Sequence, residues 1–219
     1  AAFCRGGVYA DRIEKGMPME KKTANALVPL FMGPGRPMPT VLGWAENRSM
    51  LLSEMGIRTL SKDEEGYSPS GYHTGSSWSI ATAWAAAAQF SCGRPEQGWS
   101  MAKILAEDIE RDALGCIGEC WNSEDSTLTG CPLQLWGAAL FITIIDDFML
   151  GIEVDAPGMS VSVCPRIPSS VGKIERMVLV GKEEVTLTFE KTSKGLDVRC
   201  SSPAVKLIKK PAQINYVTA

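Results

Sequence analysis

The hydrophobic pattern changes its period once, near residue 150. Before that point apolar residues recur at three and four positions, the spacing of one helical face; after it they alternate singly, as strand residues do. Five helices are predicted. TANALVPLFM (23–32) starts at Thr23 or its neighbour and is bent or ended by Pro29. The breaker GPGRPMP (33–39) follows. Thr40 caps a second helix reaching about Met55, with Val41, Leu42, Trp44, Leu51 and Leu52 near helical spacing and Gly56 as its stop. The third, WSIATAWAAAAQF, opens at Ser76 or Ser77; its alanines favour helix and admit a close neighbour. The fourth covers 96–113, with Trp99, Ile104, Leu105 and Ile109 on one side. The fifth, 132–150, is apolar almost all round, which predicts the deepest burial.

Beyond Gly151 the segments MSVSVCP, RMVLVG, EVTLTFE, LDVRCSS and AVKLIKK alternate with period two between Gly, Pro and Ser-Lys-Gly turns. They predict an antiparallel β meander. The expected layout is a helical part, 1–150, and a β-strand region, 151–219, packing on it. Residues 1–22 read as loop.

Composition narrows the function. The chain has 219 residues, 45% of them hydrophobic, with a net charge of -3. No basic stripe invites nucleic acid, and no apolar run reaches the ~20 residues that cross a bilayer. Seven scattered cysteines fit reduced thiols, and hence a cytoplasmic location, better than a disulfide framework. Cys116, Cys120 and Cys131 cluster, but His73 is the single histidine that could complete a zinc site, so neither metal nor cofactor is expected.

Two long loops carry the candidate chemistry. The first, GIRTLSKDEEGYSPSGYHTGSSW (56–78), holds Arg58, Tyr67, Tyr72, His73 and Trp78, residues that grip ligands or pack an Ω-loop. The second, 115–130, carries Glu119, Glu124 and Asp125 beside Trp121. Each loop precedes a helix of the same expected direction, so both should open at one end of the helical layer. Aromatic faces beside a carboxylate suit glycoside hydrolysis; a surface acid beside packing aromatics is the plainer alternative.

The motifs GIRTLS, GYHTGSSW, GEC, GCPLQLWGAAL and CPRIP, in this order, resemble the C-terminal half of the glucosidase domain of glycogen debranching enzymes. They are similar, more distantly, to glucoamylases and processing α-glucosidases. The resemblance spans about 23–170 and implies a mainly α fold, the last helical hairpins of an (α/α)6 toroid, followed by the β meander. It implies inverting hydrolysis of α-glucosidic bonds in glycogen or a maltodextrin, with Glu119 as general base. Tyr72, His73 and Trp78 would line the sugar subsite, Trp121 would form its wall and Trp136 would belong to the core. The general acid of that family lies upstream of the matched residues, so the resemblance implies a missing N-terminal half or a second chain. Two departures stand out: Ser79 replaces the family's usual Pro, and Glu119 is followed by Cys120 and preceded by Gly118 where Pro is usual. A carbohydrate-binding remnant without turnover and a helical interaction module are the other readings; rhamnosidases and disaccharide phosphorylases share the implied fold.

Overall fold

The computed structural model describes residues 3–5, 7–33, 38–111 and 115–211. Part of the 33–39 breaker and the expected end of the fourth helix fall outside them. The chain forms two compact units, divided between Ile144 and Ile145.

In the first unit the N-terminal residues form two small antiparallel hairpins, β1 (Cys4–Arg5) with β2 (Val8–Tyr9), and β3 (Arg12–Glu14) with β4 (Met17–Met19). A 3-10 turn, Ala24–Leu27, leads into α1 (Val28–Phe31), and α2 is Pro39–Glu46. Next come β5 (Leu52–Ser53), β6 (Gly56–Arg58), β7 (Ser77–Trp78), α3 (Ser79–Ser91), α4 (Pro95–Asp108), β8 (Cys120–Trp121) and α5 (Leu135–Thr143). The strands β5-β6-β7-β8 make one antiparallel sheet in that order.

Helix α3 is the centre of this unit. Its alanines 81, 83 and 85–88, with Phe90, are buried, and it packs on α1, α4 and α5. The approach to α4 is close because Gly98 has no Cβ: one built there would lie 2.8 Å from the Phe90 ring. Burying Phe90 contributes about 1.5–3 kcal/mol.

Helix α2 is half the expected length, for a local reason. Asn47 turns to φ -98°, ψ 118°, and its side-chain oxygen accepts the N–H of Ser49 at 2.8 Å, the turn chemistry that competes with helix. The carbonyls of Arg48, Met50 and Leu52 then point to the buried Arg58 guanidinium, which donates to all three. The chain returns as the β5–β6 hairpin instead of continuing a helix to Met55.

The expectation for the fifth helix also fails. Leu135 and Ile142 are exposed, Ile145 is half-buried, and a π-helical stretch, Ile144–Met149, follows α5. An apolar helix is buried only if neighbours surround it, and within this unit α5 is packed chiefly along one side, against α3 and α4.

The second unit, Ile145–Gln213, contains β9 (Glu153–Asp155), β10 (Ser160–Val163), β11 (Lys173–Val180), β12 (Glu183–Thr192), β13 (Gly195–Cys200) and β14 (Lys206–Lys209). Strands β11-β12-β13 form the predicted antiparallel meander, with Val185, Leu187 and Phe189 alternating onto its buried face. Strand β14 leaves it and pairs in parallel with β10, whose other edge takes β9. Arg176 grips Asp146 with two hydrogen bonds, of 2.8 and 2.7 Å.

The fold is therefore mixed α/β, with 29% of the described residues in helix and 28% in strand, and the mainly α, partial-toroid reading is corrected. The error has two sources: strands of two residues carry no measurable alternation, and four short strands between Cys4 and Met19 pair locally although glycines and Pro18 interrupt any period.

Gly56 offers a direct check on this architecture. Its φ is +101°, and a Cβ there would lie 2.0 Å from the Thr82 hydroxyl oxygen. That hydroxyl accepts the Ile57 N–H at 2.9 Å and donates to the Trp78 carbonyl at 2.8 Å, tying β6 to α3. Gly56→Ala is expected to lower unfolding stability by roughly 1–3 kcal/mol, from strain and displacement of Thr82. Urea denaturation measures it; an unchanged midpoint would contradict the packing described.

Candidate active site

The two loops meet because β7 pairs with β8. Ser77 lies opposite Trp121 and Trp78 opposite Cys120. One residue before β8, the Glu119 carbonyl accepts the Ser79 N–H at 3.1 Å. This register sets Glu119 beside the start of α3.

A second set of bonds braces the loops. The Tyr67 hydroxyl bonds the Ser123 hydroxyl at 2.8 Å and donates to the Glu124 carboxylate at 2.9 Å. Lys62 reaches Glu124 at 2.9 Å and the Arg58 guanidinium lies 3.8 Å from it. The Ser123 N–H donates to the Pro69 carbonyl. Lys62 and Tyr67, with a smaller contribution from Arg58, hold the Glu124 carboxyl below its usual range. Gly75 permits the turn: a Cβ there would meet the Tyr67 ring at 2.7 Å.

Within this frame Tyr72, His73, Trp78 and Glu119 come together. The Tyr72 hydroxyl donates to one Glu119 oxygen at 2.6 Å, and the Cys131 N–H donates to the other at 3.0 Å. The Tyr72 ring stands edge-on to His73 at 4.8 Å and to Trp78 at 4.5 Å; His73 stacks on Trp78 at 5.7 Å. The Trp78 indole N–H is fixed by the Tyr72 carbonyl and the Ser76 hydroxyl, both at 2.9 Å.

Beside this group opens a cleft of about 500 Å³. His73, Trp78, Trp84 and Trp136 supply its aromatic side, and Asp11, Lys21, Thr23 and Asn25 its polar side. Glu119 and Tyr72 stand outside the lining of the cleft; the Tyr72 ring packs on Trp78 and His73, which do line it. Asp11 is oriented by hydrogen bonds from Thr23 and Asn25, at 2.8 and 2.9 Å. Lys21 makes no ion pair among the described residues. Pairing charge-bearing groups with apolar ring faces is the usual composition of a small-molecule site.

Two tryptophans exchange their expected places. Trp121 is 1% exposed and belongs to the core, its ring under Gly118, so it forms no subsite wall. Trp136 is 38% exposed, lines the cleft and lies 6.0 Å from Trp78. Sequence reasoning missed Trp84, whose spacing with Ile80 and Ala81 on α3 places all three on the cleft side. It also missed Asp11, Lys21 and Asn25, which carry no motif. Among the described residues no group of three or more His, Cys, Asp or Glu side chains is placed to hold a metal ion.

The Glu119 carboxyl is held by opposing effects. Burial pushes its pKa up, but hydrogen bonds from Tyr72, the Cys131 N–H and Gln134 outweigh burial and keep it below the usual range. The same bond, with burial added, pushes the Tyr72 phenol up to about 12. Glu119 is thus ionised at neutral pH, and Tyr72 remains a donor. Because the folded pKa lies below the unfolded one, the stabilisation is present above the unfolded value and is lost as pH falls through the folded value. Tyr72→Phe removes one donor, so the Glu119 pKa is expected to rise and acid unfolding to begin at higher pH. Carboxyl-carbon NMR titration checks it; an unchanged Glu119 midpoint would contradict the arrangement.

The family profile described as the mannosylglycerate hydrolase MGH1-like glycoside hydrolase domain matches residues 5–137, more than half of the chain. Among curated proteins none matches. Of solved structures, an uncharacterized conserved protein from Thermus thermophilus is similar at 22% identity and a TM-score of 0.54, over 65% of this chain and 36% of that one. The GH63 mannosylglycerate hydrolase from the same organism is similar in its complex with glucose at 22% identity and TM-score 0.54, and in its complex with Tris at 21% and 0.52. These two alignments cover 65% of this chain and 34% and 35% of the hydrolase. The chain thus spans about a third of the length of the solved structures it matches, and the likeness shows a shared fold over that part. No described helix is long and apolar enough to cross a membrane.

Proposed function

This chain belongs to the mannosylglycerate hydrolase MGH1-like glycoside hydrolase family, and we propose that it carries the general-base side of an inverting glycosidase site. The observation that carries this reading is the Tyr72–Glu119 hydrogen bond at the edge of an aromatic cleft. An inverting enzyme needs one ionised carboxylate to take a proton from the attacking water, while a second, protonated carboxyl serves the leaving oxygen. Glu119, ionised and oriented by three donors, has the protonation state of the base. Trp78 and Trp136 would offer ring faces to the sugar, and His73, stacked on Trp78, would bond its hydroxyls. The acid would come from the part of the domain that the matched relatives possess beyond the third spanned here.

The substrate we propose is a short glycoside with an acidic aglycone, such as glycerate, rather than a glycogen branch. Two features support it. The relatives in Thermus are described as mannosylglycerate hydrolases, and the polar side of the cleft presents Lys21, which makes no ion pair among the described residues. A cleft of this volume suits a small ligand. The α-glucosidic debranching specificity implied by the sequence resemblance has no support in the comparisons. The seven scattered cysteines suit a reducing, cytoplasmic setting.

In a polypeptide carrying the rest of the domain, Glu119→Gln is expected to lower hydrolysis by ~10²–10⁴ while leaving ligand affinity nearly unchanged. Proton NMR of the fresh product should show the anomer opposite to that of the substrate. Lys21→Ala should weaken binding of a glycosylglycerate about tenfold and leave an uncharged glycoside unaffected, as loss of one charge-assisted contact predicts. A retained anomeric configuration, or full activity in Glu119→Gln, would overturn the assignment of Glu119.

A further inference from the structure

We infer that a second cavity, walled by the β-strand region, binds a free α-amino acid, with Arg166 taking its carboxylate and Asp147 its ammonium group. The cavity holds about 440 Å³, and Asp147, Glu153, Cys164, Arg166 and Lys210 line it. These residues belong to the second unit, whereas Tyr72, His73, Trp78 and Glu119 lie in the first. Backbone bonds fix the walls. The Lys210 N–H donates to the Val163 carbonyl at 2.8 Å, the Cys164 N–H to the Gly151 carbonyl at 3.0 Å and the Arg166 N–H to the Met149 carbonyl at 2.7 Å. Gly151 has a φ of +64°, and a Cβ there would lie 2.5 Å from the Cys164 carbonyl oxygen. Arg166 spends Nη1 on the carbonyls of Phe148 and Cys164, at 3.1 and 3.3 Å. Its Nε and Nη2 have no partner among the described residues and form the pair of donors that grips a carboxylate side-on.

The charges around the cavity select the ligand. Lys210 pairs with Glu153, which also accepts the Ser162 hydroxyl at 3.2 Å. The other two charges are not neutralised in this way: Arg166 forms no ion pair, and Asp147 neither an ion pair nor a hydrogen bond, with any described residue. Asp146, beside it in the chain, is held by Arg176. Burial and the carboxylates of Asp146 and Glu153 push the Asp147 carboxyl up, so a cation at that point is favoured. A guanidinium and a carboxylate that face one cavity without pairing suit a molecule carrying both charges. A phosphate would meet Asp147 and Glu153, and a polyamine would meet Arg166 and Lys210. Among the described residues no aromatic side chain lines the cavity, so a sugar finds no ring to stack on and a quaternary ammonium no cage. No group of three or more His, Cys, Asp or Glu side chains among those residues is placed for a metal ion. A primary ammonium and a carboxylate on one small molecule satisfy both free charges, and the volume is that of a small-ligand site.

The test is isothermal titration of the full chain with L-alanine, L-serine, L-glutamine and L-glutamate, beside acetate and methylamine, which carry one charge each. Saturable binding of at least one amino acid is expected, with acetate and methylamine weaker by about tenfold or more, the loss of one charge-assisted contact. Asp147→Asn should weaken the amino acid by a similar factor. Because Asp147 bonds no described residue, its replacement leaves the circular dichroism spectrum unchanged, which separates lost binding from misfolding. No saturable heat with any of the four amino acids, undiminished affinity in Asp147→Asn, or acetate bound as tightly as the amino acid would each overturn the inference. Nothing in it depends on Glu119, so its failure and the failure of the glycosidase reading are separate results.

Discussion

The pairing of Ser77–Trp78 with Cys120–Trp121 is the constraint on which the site depends. The two segments are far apart in the chain, and closing so long a loop costs entropy that a two-residue ladder cannot repay alone. Neighbouring bonds supply the remainder. Ser79 ties the start of α3 to the Glu119 carbonyl, and Thr82 ties the same helix to β6. The brace of Tyr67, Glu124 and Lys62 fixes the outer parts of both loops. Each bond is modest, on the order of 1 kcal/mol; together they fix one register and leave the aromatic group a single arrangement.

That arrangement turns a sequence motif into an electrostatic device. Burying a carboxylate without donors would neutralise it, since desolvation favours the protonated form. Here the Tyr72 hydroxyl, the Cys131 N–H and the Gln134 side chain reverse the sign, leaving an ionised acceptor in a largely water-excluded position. Gly130 makes room for this: a Cβ there would lie 2.7 Å from a Glu119 oxygen. The Glu119 geometry and the sharp turn before Cys131 are thus one feature.

The stretches that were legible in the sequence are those whose side chains decide their own burial. The alanine run of α3 and the alternation of β11, β12 and β13 carry clear periods, and both elements form. Leu51, Leu52 and Met55 fit a helical spacing equally well, yet Arg58 claims the carbonyls that a longer α2 would have used. No local rule anticipates a partner that acts through the carbonyls of another segment. The site divides similarly. Tyr72, His73, Trp78 and Glu119 were readable as chemistry, whereas Asp11, Lys21 and Asn25 reach the cleft only through the path of the N-terminal hairpins. Trp121 and Trp136 were misplaced because a tryptophan's type does not say which side of a two-residue strand, or of a short helix, meets the core.

Family membership, the oriented carboxylate and the aromatic cleft support the proposed glycoside chemistry, and one resonance can report on it. His73 is the only histidine, so its ring protons give a single unambiguous NMR signal. Titrating the protein with a glycosylglycerate should shift that signal saturably, with the same endpoint in Glu119→Gln, because binding precedes the proton transfer proposed for Glu119. A His73 signal unmoved at saturating ligand would contradict the central claim that this aromatic group is where the sugar sits.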